Sequence, residues 1–105
     1  MFEVEAIIVI VDRGRAHKLI QSAKSVGAKG ATTFYGRGTG ESEGKRFFNL
    51  DVEPSKEVII ILSEKENSKK IMDEIIKVGK LNEPGTGIVF TVPVSSIVGL
   101  HHREL

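Results

Sequence analysis

The chain has 105 residues, with 15 Lys and Arg against 14 Asp and Glu, and no cysteine. That length makes one domain, residues 1–105, with no room for a second core. The nearly cancelled charge gives no sign of a nucleic-acid footprint spread over the whole surface, and the missing thiols exclude disulfides and thiolate metal sites.

The opening, MFEVEAIIVIVDRGR, has no basic leader. Its apolar run is interrupted by Glu3 and Glu5 and ends at Asp12, too short and too charged for a signal peptide or a membrane span, so a soluble, cytoplasmic protein is expected. Residues 4–11, VEAIIVIV, predict a central strand buried on both faces. DRGR is a turn. In AHKLIQSAKSVG, Ala16, Leu19, Ile20, Ala23 and Val26 recur at helical spacing, which predicts a first helix with Gly27 just past its end. Thr32 to Tyr35 have strand propensity. A glycine-rich stretch follows, then RFFNLDV and KEVIIILS as strand, with Pro54 marking a break between them. SEKENSKKIMDEIIKVGKL is a second helix. Ser63 and Glu66 read as its capping box, with Asn67 or Ser68 as rival caps. Ile71, Met72, Ile75, Ile76 and Val78 form its apolar stripe, and Gly79 ends it. NEPGTG is a second glycine turn, and IVFTVPVSSIVGLHH is a last strand with a tail.

The order is β-α-β twice over. Two right-handed units of this kind give an α+β, ferredoxin-like βαββαβ sandwich, a four-stranded antiparallel sheet with both helices on one face. VIIIL, residues 58–62, is apolar throughout, so both faces of that strand demand burial. Two helices cover only one. Other copies of the chain are expected to cover the second.

The segment GRGTGESEGKR, residues 36–46, fits neither familiar phosphate motif. A Walker loop needs four residues between its glycines and a lysine followed by Ser or Thr. Here three residues separate Gly40 from Gly44, and Arg46 follows Lys45. A dinucleotide fingerprint needs a third glycine where Glu41 stands, and a helix after it. Taken alone, the segment is a flexible hairpin connection, a wrap for an anion or a loop that reaches a partner. The second loop, EPGTGIVF, sets Gly85 and Gly87 directly before a strand. It is either a plain helix-to-strand turn or one wall of a cleft. In the sandwich both loops can meet another subunit's edge, where two glycine-lined backbones would offer N–H groups to an anion without a motif lysine.

Three stretches carry a family likeness: VGAKGATT at 26–33, GRGTGESEG at 36–44 and PGTGIVFTVPVSSIVGL at 84–100. The chain resembles the PII-type nitrogen-regulatory signalling proteins over nearly its whole length, as a divergent member with a shortened T-loop. The first stretch is similar to that family's passage from helix one to strand two, the second to the start of its T-loop, the third to its B-loop and final strand. The resemblance implies a homotrimer that binds an adenine nucleotide as effector between subunits. Ligand would order the loop, and the ordered loop would engage or release a partner, such as a membrane transporter or an enzyme of nitrogen or carbon metabolism. Nucleic acid is not an expected partner.

By this resemblance Thr32 lies near the base, and Gly38 and Gly40 line the nucleotide at the T-loop root. Gly85, Thr86 and Gly87 wrap phosphates through backbone N–H groups. Thr39, Glu41, Ser42, Glu43, Gly44, Lys45 and Arg46 form the partner-binding loop. A β-branched residue at Gly87 is expected to abolish nucleotide binding and leave the trimer intact. The departures bear on the ligand. The family's B-loop acid and lysine fall on Thr86 and Ile88, its two phosphate-holding C-terminal arginines on Gly99 and His101, and its metal-ligating T-loop glutamine on Ser42. The tyrosine of the uridylylated members is missing. Each lost cation removes charge-assisted bonds worth about 1.5–3 kcal/mol. Three such losses argue against a triphosphate and against 2-oxoglutarate sensing, and for AMP, ADP or a cyclic nucleotide. Arg37, Lys45, Arg46 and Arg103 are available as partial replacements.

His101 and His102 point to opposite faces of an extended tail and do not share a metal easily; in such a tail His101 and Arg103 share a face and reach a phosphate. His17 and the run EKENSKK belong to solvated faces. Tyr35 either stacks on a base or packs across strands, Phe47 and Phe48 either join the core or dock a partner, and Glu41 and Glu43 with Ser42 either hold a divalent ion or are solvated. No metal is firmly predicted. The alternative reading is a trimeric metal-binding or metal-tolerance protein of the CutA type, which shares the fold and has no nucleotide site. No catalytic constellation stands out, so an enzyme is the third option, limited to slow nucleotide hydrolysis.

Overall fold

The computed structural model describes residues 3–38, 46–47, 50–51 and 55–100. In chain order the elements are β1 (Val4–Asp12), α1 (Ala16–Ser25), β2 (Thr32–Arg37), β3 (Arg46–Phe47), β4 (Leu50–Asp51), β5 (Ser55–Glu64), α2 (Lys65–Gly79) and β6 (Gly87–Pro93). The main sheet has the order β2-β5-β1-β6, and every pair in it is antiparallel. Each helix carries the chain over one intervening strand: α1 leads from β1 past β5 to β2, and α2 leads from β5 past β1 to β6. This is the expected α+β ferredoxin-like sandwich.

The strands alternate. Ile7, Val9 and Val11 of β1 and Ile59 and Ile61 of β5 are buried against Leu19 and Ala23 of α1 and Ile71 and Ile75 of α2. Each such fully buried branched side chain contributes about 1.5–3 kcal/mol. The intervening residues, Ala6, Ile8, Ile10, Val58, Ile60 and Leu62, are only half-buried. Residues 4–11 are therefore enclosed on the helix face alone within one copy, and the second face waits for a cover, as the apolar run 58–62 demanded.

Two local expectations are corrected. RFFNLDV is not one strand: Arg46 pairs with Asp51 and Phe47 with Leu50 as a separate two-stranded ribbon. The capping box at Ser63 is absent, because β5 runs straight into α2. Val4 and Glu5 pair with Glu64 and Ser63, and the Lys65 N–H donates to the Glu3 carbonyl at 2.9 Å. Ser63, 1% exposed, donates instead to the Glu64 carbonyl. Neither Asn67 nor Ser68 caps the helix: its N-cap is Glu64, without a side-chain bond, and Ser68 Oγ lies within reach of the Glu5 carboxylate and the Lys65 carbonyl. Helix α2 ends at Gly79 as expected, and the left-handed residue that follows is Lys80, at φ 55°. Gly79 also packs closely on the other helix: a Cβ there would lie 3.2 Å from Leu19 Cδ2.

Helix α1 begins at Arg15 with no side-chain cap of its own. Glu57 of β5 supplies one, its Oε1 accepting the Gly14 N–H at 2.7 Å and the Ala16 N–H at 3.3 Å. Glu57→Ala leaves those amides without a protein acceptor and is expected to lower the unfolding free energy by about 1 kcal/mol in urea denaturation. Glu57→Gln keeps an acceptor oxygen and is expected to lose less. Equal stability of Glu57→Ala and the parent chain would show that water replaces the cap without cost.

Candidate functional site

Four strand ends meet at one end of the sheet. Asp12 lies opposite Lys56, Val11 opposite Gly87, and Arg37 opposite Ser55. The glycine turn that precedes β6 and the root of the 36–46 segment therefore share an end of the sandwich. They do not touch within one copy. β2 and β6 are the two outer strands, three strand spacings apart, or about 14 Å.

The turn between α2 and β6 is tied down at several points. Leu81 N–H bonds back to the Ile76 carbonyl at 3.0 Å, the six-to-one bond of a Schellman closure around left-handed Lys80. Thr86 Oγ1 lies 2.9 Å from both the Lys80 and the Glu83 carbonyls, so its hydroxyl closes the turn from within. Arg15 closes it from outside: Nη1 donates to the Thr86 carbonyl at 2.6 Å and Nη2 to the Gly79 carbonyl at 2.7 Å. Gly85 has φ 77°. Gly87 has φ 143°, and a Cβ on it would stand 2.6 Å from the Ile10 carbonyl oxygen.

The ladder fixes which way the Gly87 amide faces. Val94 N–H donates to Val4 O, which makes Glu5 and Pro93 a non-hydrogen-bonded pair. Counting on through the unbroken register, Val11 and Gly87 are again such a pair. The Gly87 N–H is then turned away from β1, toward the open edge of the sheet. This is the one geometry in which a glycine amide on an outer strand can meet something beyond the protomer.

On the opposite edge, Gly38 rests on the Lys56 side chain: a Cβ there would lie 3.3 Å from Lys56 Cγ. Lys56 Nζ is paired with Asp12 Oδ1 at 2.7 Å. Tyr35 is largely exposed and pairs with a cation. Its ring, 61% exposed, carries the Arg13 guanidinium 4.2 Å from its centroid, and Arg13 N–H also donates to the Ser55 carbonyl.

Of the residues singled out in sequence, Gly85, Thr86 and Gly87 form one turn, and Arg37 and Gly38 lie at the opposite edge of the same sheet end. Thr32 is five positions back along β2, opposite Ile60. Ile88 is 55% exposed, where the resemblance set a lysine. Gly99 has φ 94°. His17 is exposed, as expected. Thr39, Gly40, Glu41, Ser42, Glu43, Gly44, Lys45, Phe48, His101, His102 and Arg103 lie outside the described residues, as do the side chains of Arg46 and Phe47. Among the described residues no group of three or more His, Cys, Asp or Glu could hold a metal, and no helix is long and apolar enough to cross a membrane. Sequence reasoning missed Arg13 and Arg15. DRGR reads in sequence as a turn and nothing more, although two cations flank a glycine at this strand-to-helix junction.

Comparison with known proteins adds three findings. The family model described as nitrogen regulatory protein P-II matches residues 4–104. No curated protein matches the chain in sequence. Among solved structures the chain is similar to the crystal structure of Arabidopsis thaliana PII bound to citrate, at 24% identity and a TM-score of 0.69, covering 90% of this chain and 79% of that one.

Proposed function

Because the chain belongs to the nitrogen regulatory protein P-II family, we propose that it is a signal-transduction protein that binds an adenine nucleotide between the subunits of a homotrimer and regulates a partner through residues 36–46. The carrying observation is the placement of the two loop roots, at one end of the sheet but on opposite outer strands. A head-to-tail ring sets the β6 edge of one copy beside the β2 edge of the next. The outward amide of Gly87 then faces the neighbour's Arg37 and Gly38, and neither half of the cleft is complete alone. Apolar Phe34, Ile88, Phe90 and Val92, all exposed in the single copy, supply the contact.

The ligand has few phosphates. Isoleucine stands where the resemblance implies a lysine, and glycine and histidine stand where it implies arginines. Main-chain amides and the T-loop-root arginine suit AMP, ADP or a cyclic nucleotide better than ATP. The protein is a binding protein rather than an enzyme, located in the cytoplasm, and its partner is a membrane transporter or a metabolic enzyme. The family match favours this reading over the CutA-type one.

Thermal-shift titration against AMP, ADP, ATP, cyclic AMP, cyclic di-AMP, 2-oxoglutarate and citrate tests it. A ligand at a hundred times its dissociation constant adds about 2.7 kcal/mol to the folded state. The expected result is a shift with a mono-, di- or cyclic nucleotide that exceeds the shift with ATP. No shift with any nucleotide, together with one by copper or zinc, would overturn the reading in favour of the metal-binding alternative.

A further inference from the structure

We infer that Arg15 is a positioning residue for the nucleotide cradle: it holds the Gly79–Thr86 turn closed so that the Gly87 amide faces the ligand. This rests on the nucleotide reading above. Arg15 is the N-cap residue of α1, yet its side chain takes no part in capping. It spans instead to the last helical residue of α2 and to the residue before β6, meeting the Gly79 carbonyl at 2.7 Å and the Thr86 carbonyl at 2.6 Å. Those two carbonyls stand at the two ends of the turn. One guanidinium fork therefore fastens both, from a part-buried position.

The consequence for Gly87 follows from the planar trans peptide. The C=O of Thr86 and the N–H of Gly87 belong to one peptide unit and point in opposite directions. Drawing the Thr86 carbonyl toward Arg15 aims the Gly87 N–H away from it, at the open edge of β6. The ladder register independently gives the amide the same direction. Arg15 need not touch the ligand to do this. Lysine is a poor substitute, since a compact ammonium lacks the planar two-pronged geometry that meets both carbonyls.

The test compares Arg15→Ala and Arg15→Lys with the parent chain by hydrogen exchange without ligand, and by calorimetric titration with ADP. In Arg15→Ala, the amides of residues 81–83 and 85–87 should exchange at least about tenfold faster and the ADP dissociation constant should rise at least about tenfold, the lower end of what loss of a charge-assisted bond brings. Exchange in β1, α1 and β5 should be unchanged, which separates loss of the clamp from general destabilisation. Arg15→Lys should fall between. Unchanged exchange at 81–87, or faster exchange there with unaltered ADP affinity, would overturn the inference. If the parent chain binds none of the nucleotides, the nucleotide reading fails. The exchange comparison then decides by itself whether Arg15 closes the turn.

Discussion

Gly87→Ala should lower the unfolding free energy by about 2–4 kcal/mol, and Gly87→Val by more. Two independent costs add. The backbone at Gly87 has φ 143°, a region that side chains with a Cβ rarely enter. A Cβ built there would stand 2.6 Å from the Ile10 carbonyl oxygen and 2.8 Å from Val11 Cγ1, with Leu81 Cδ2 at 3.3 Å. The first is main chain of the central strand and cannot swing aside. Relief requires the start of β6 to move off β1, which breaks pairing next to the core. The expectation that a β-branched residue at Gly87 removes nucleotide binding and leaves the assembly intact has to be weighed against this folding cost. The structure makes this glycine a packing requirement whether or not it meets a ligand, so lost binding in the variant would not identify the site. The check is the urea midpoint of Gly87→Ala. A midpoint equal to that of the parent chain would show that β6 does not approach Ile10 this closely.

How much was legible in sequence depended on whether a signal was local. The helices showed in the spacing of Leu19, Ala23, Ile71 and Ile75, because a single buried stripe has a period of its own. Gly27 showed as the end of α1, and it has φ 117°. Three of the four main strands showed as apolar runs and β2 by its strand propensity, and the half-covered face followed from VIIIL. Contacts between distant segments did not show. Ser63 and Glu66 have the spacing of a capping box, but pairing of residues 4–5 with 63–64 extends the strand through Ser63 and overrides it. The cap of α1 comes from Glu57, more than forty positions away. The Arg15 bonds to Gly79 and Thr86 span 64 and 71 positions, and no periodicity in the sequence encodes them. RFFNLDV looked like one strand because apolar runs report burial and do not report where a short ribbon reverses. The glycine turns were visible as glycines. Their shared end of the sheet came only with the strand order.

Phe90→Asp should convert the proposed ring into monomers and abolish nucleotide binding with it. Across the open face, Thr32, Ile60, Ile8 and Phe90 lie in one row, and Phe34, Val58, Ile10 and Ile88 in the next. Phe34, Ile88, Phe90 and Val92 remain 39–55% exposed in the single copy, on a sheet whose other face is fully covered by helices. Contiguous apolar surface of this kind marks an interaction site. A carboxylate at Phe90 would have to be desolvated in each of three equivalent contacts, at a cost of several kcal/mol apiece, while the burial of an aromatic ring is lost as well. The folded monomer is spared, because Phe90 points away from the helix-face core of Ile7, Val9, Ile59 and Ile61. Light scattering on the variant should give a mass near 11.5 kDa, with the far-ultraviolet dichroism of the parent, and the parent should give three times that mass. Loss of nucleotide binding in a folded Phe90→Asp monomer would place the site between subunits, since Gly85, Gly87 and Arg37 are all still present in it. A parent chain that is itself monomeric at micromolar concentration, or a Phe90→Asp variant that stays assembled, would remove the ring from the argument, and the cleft with it.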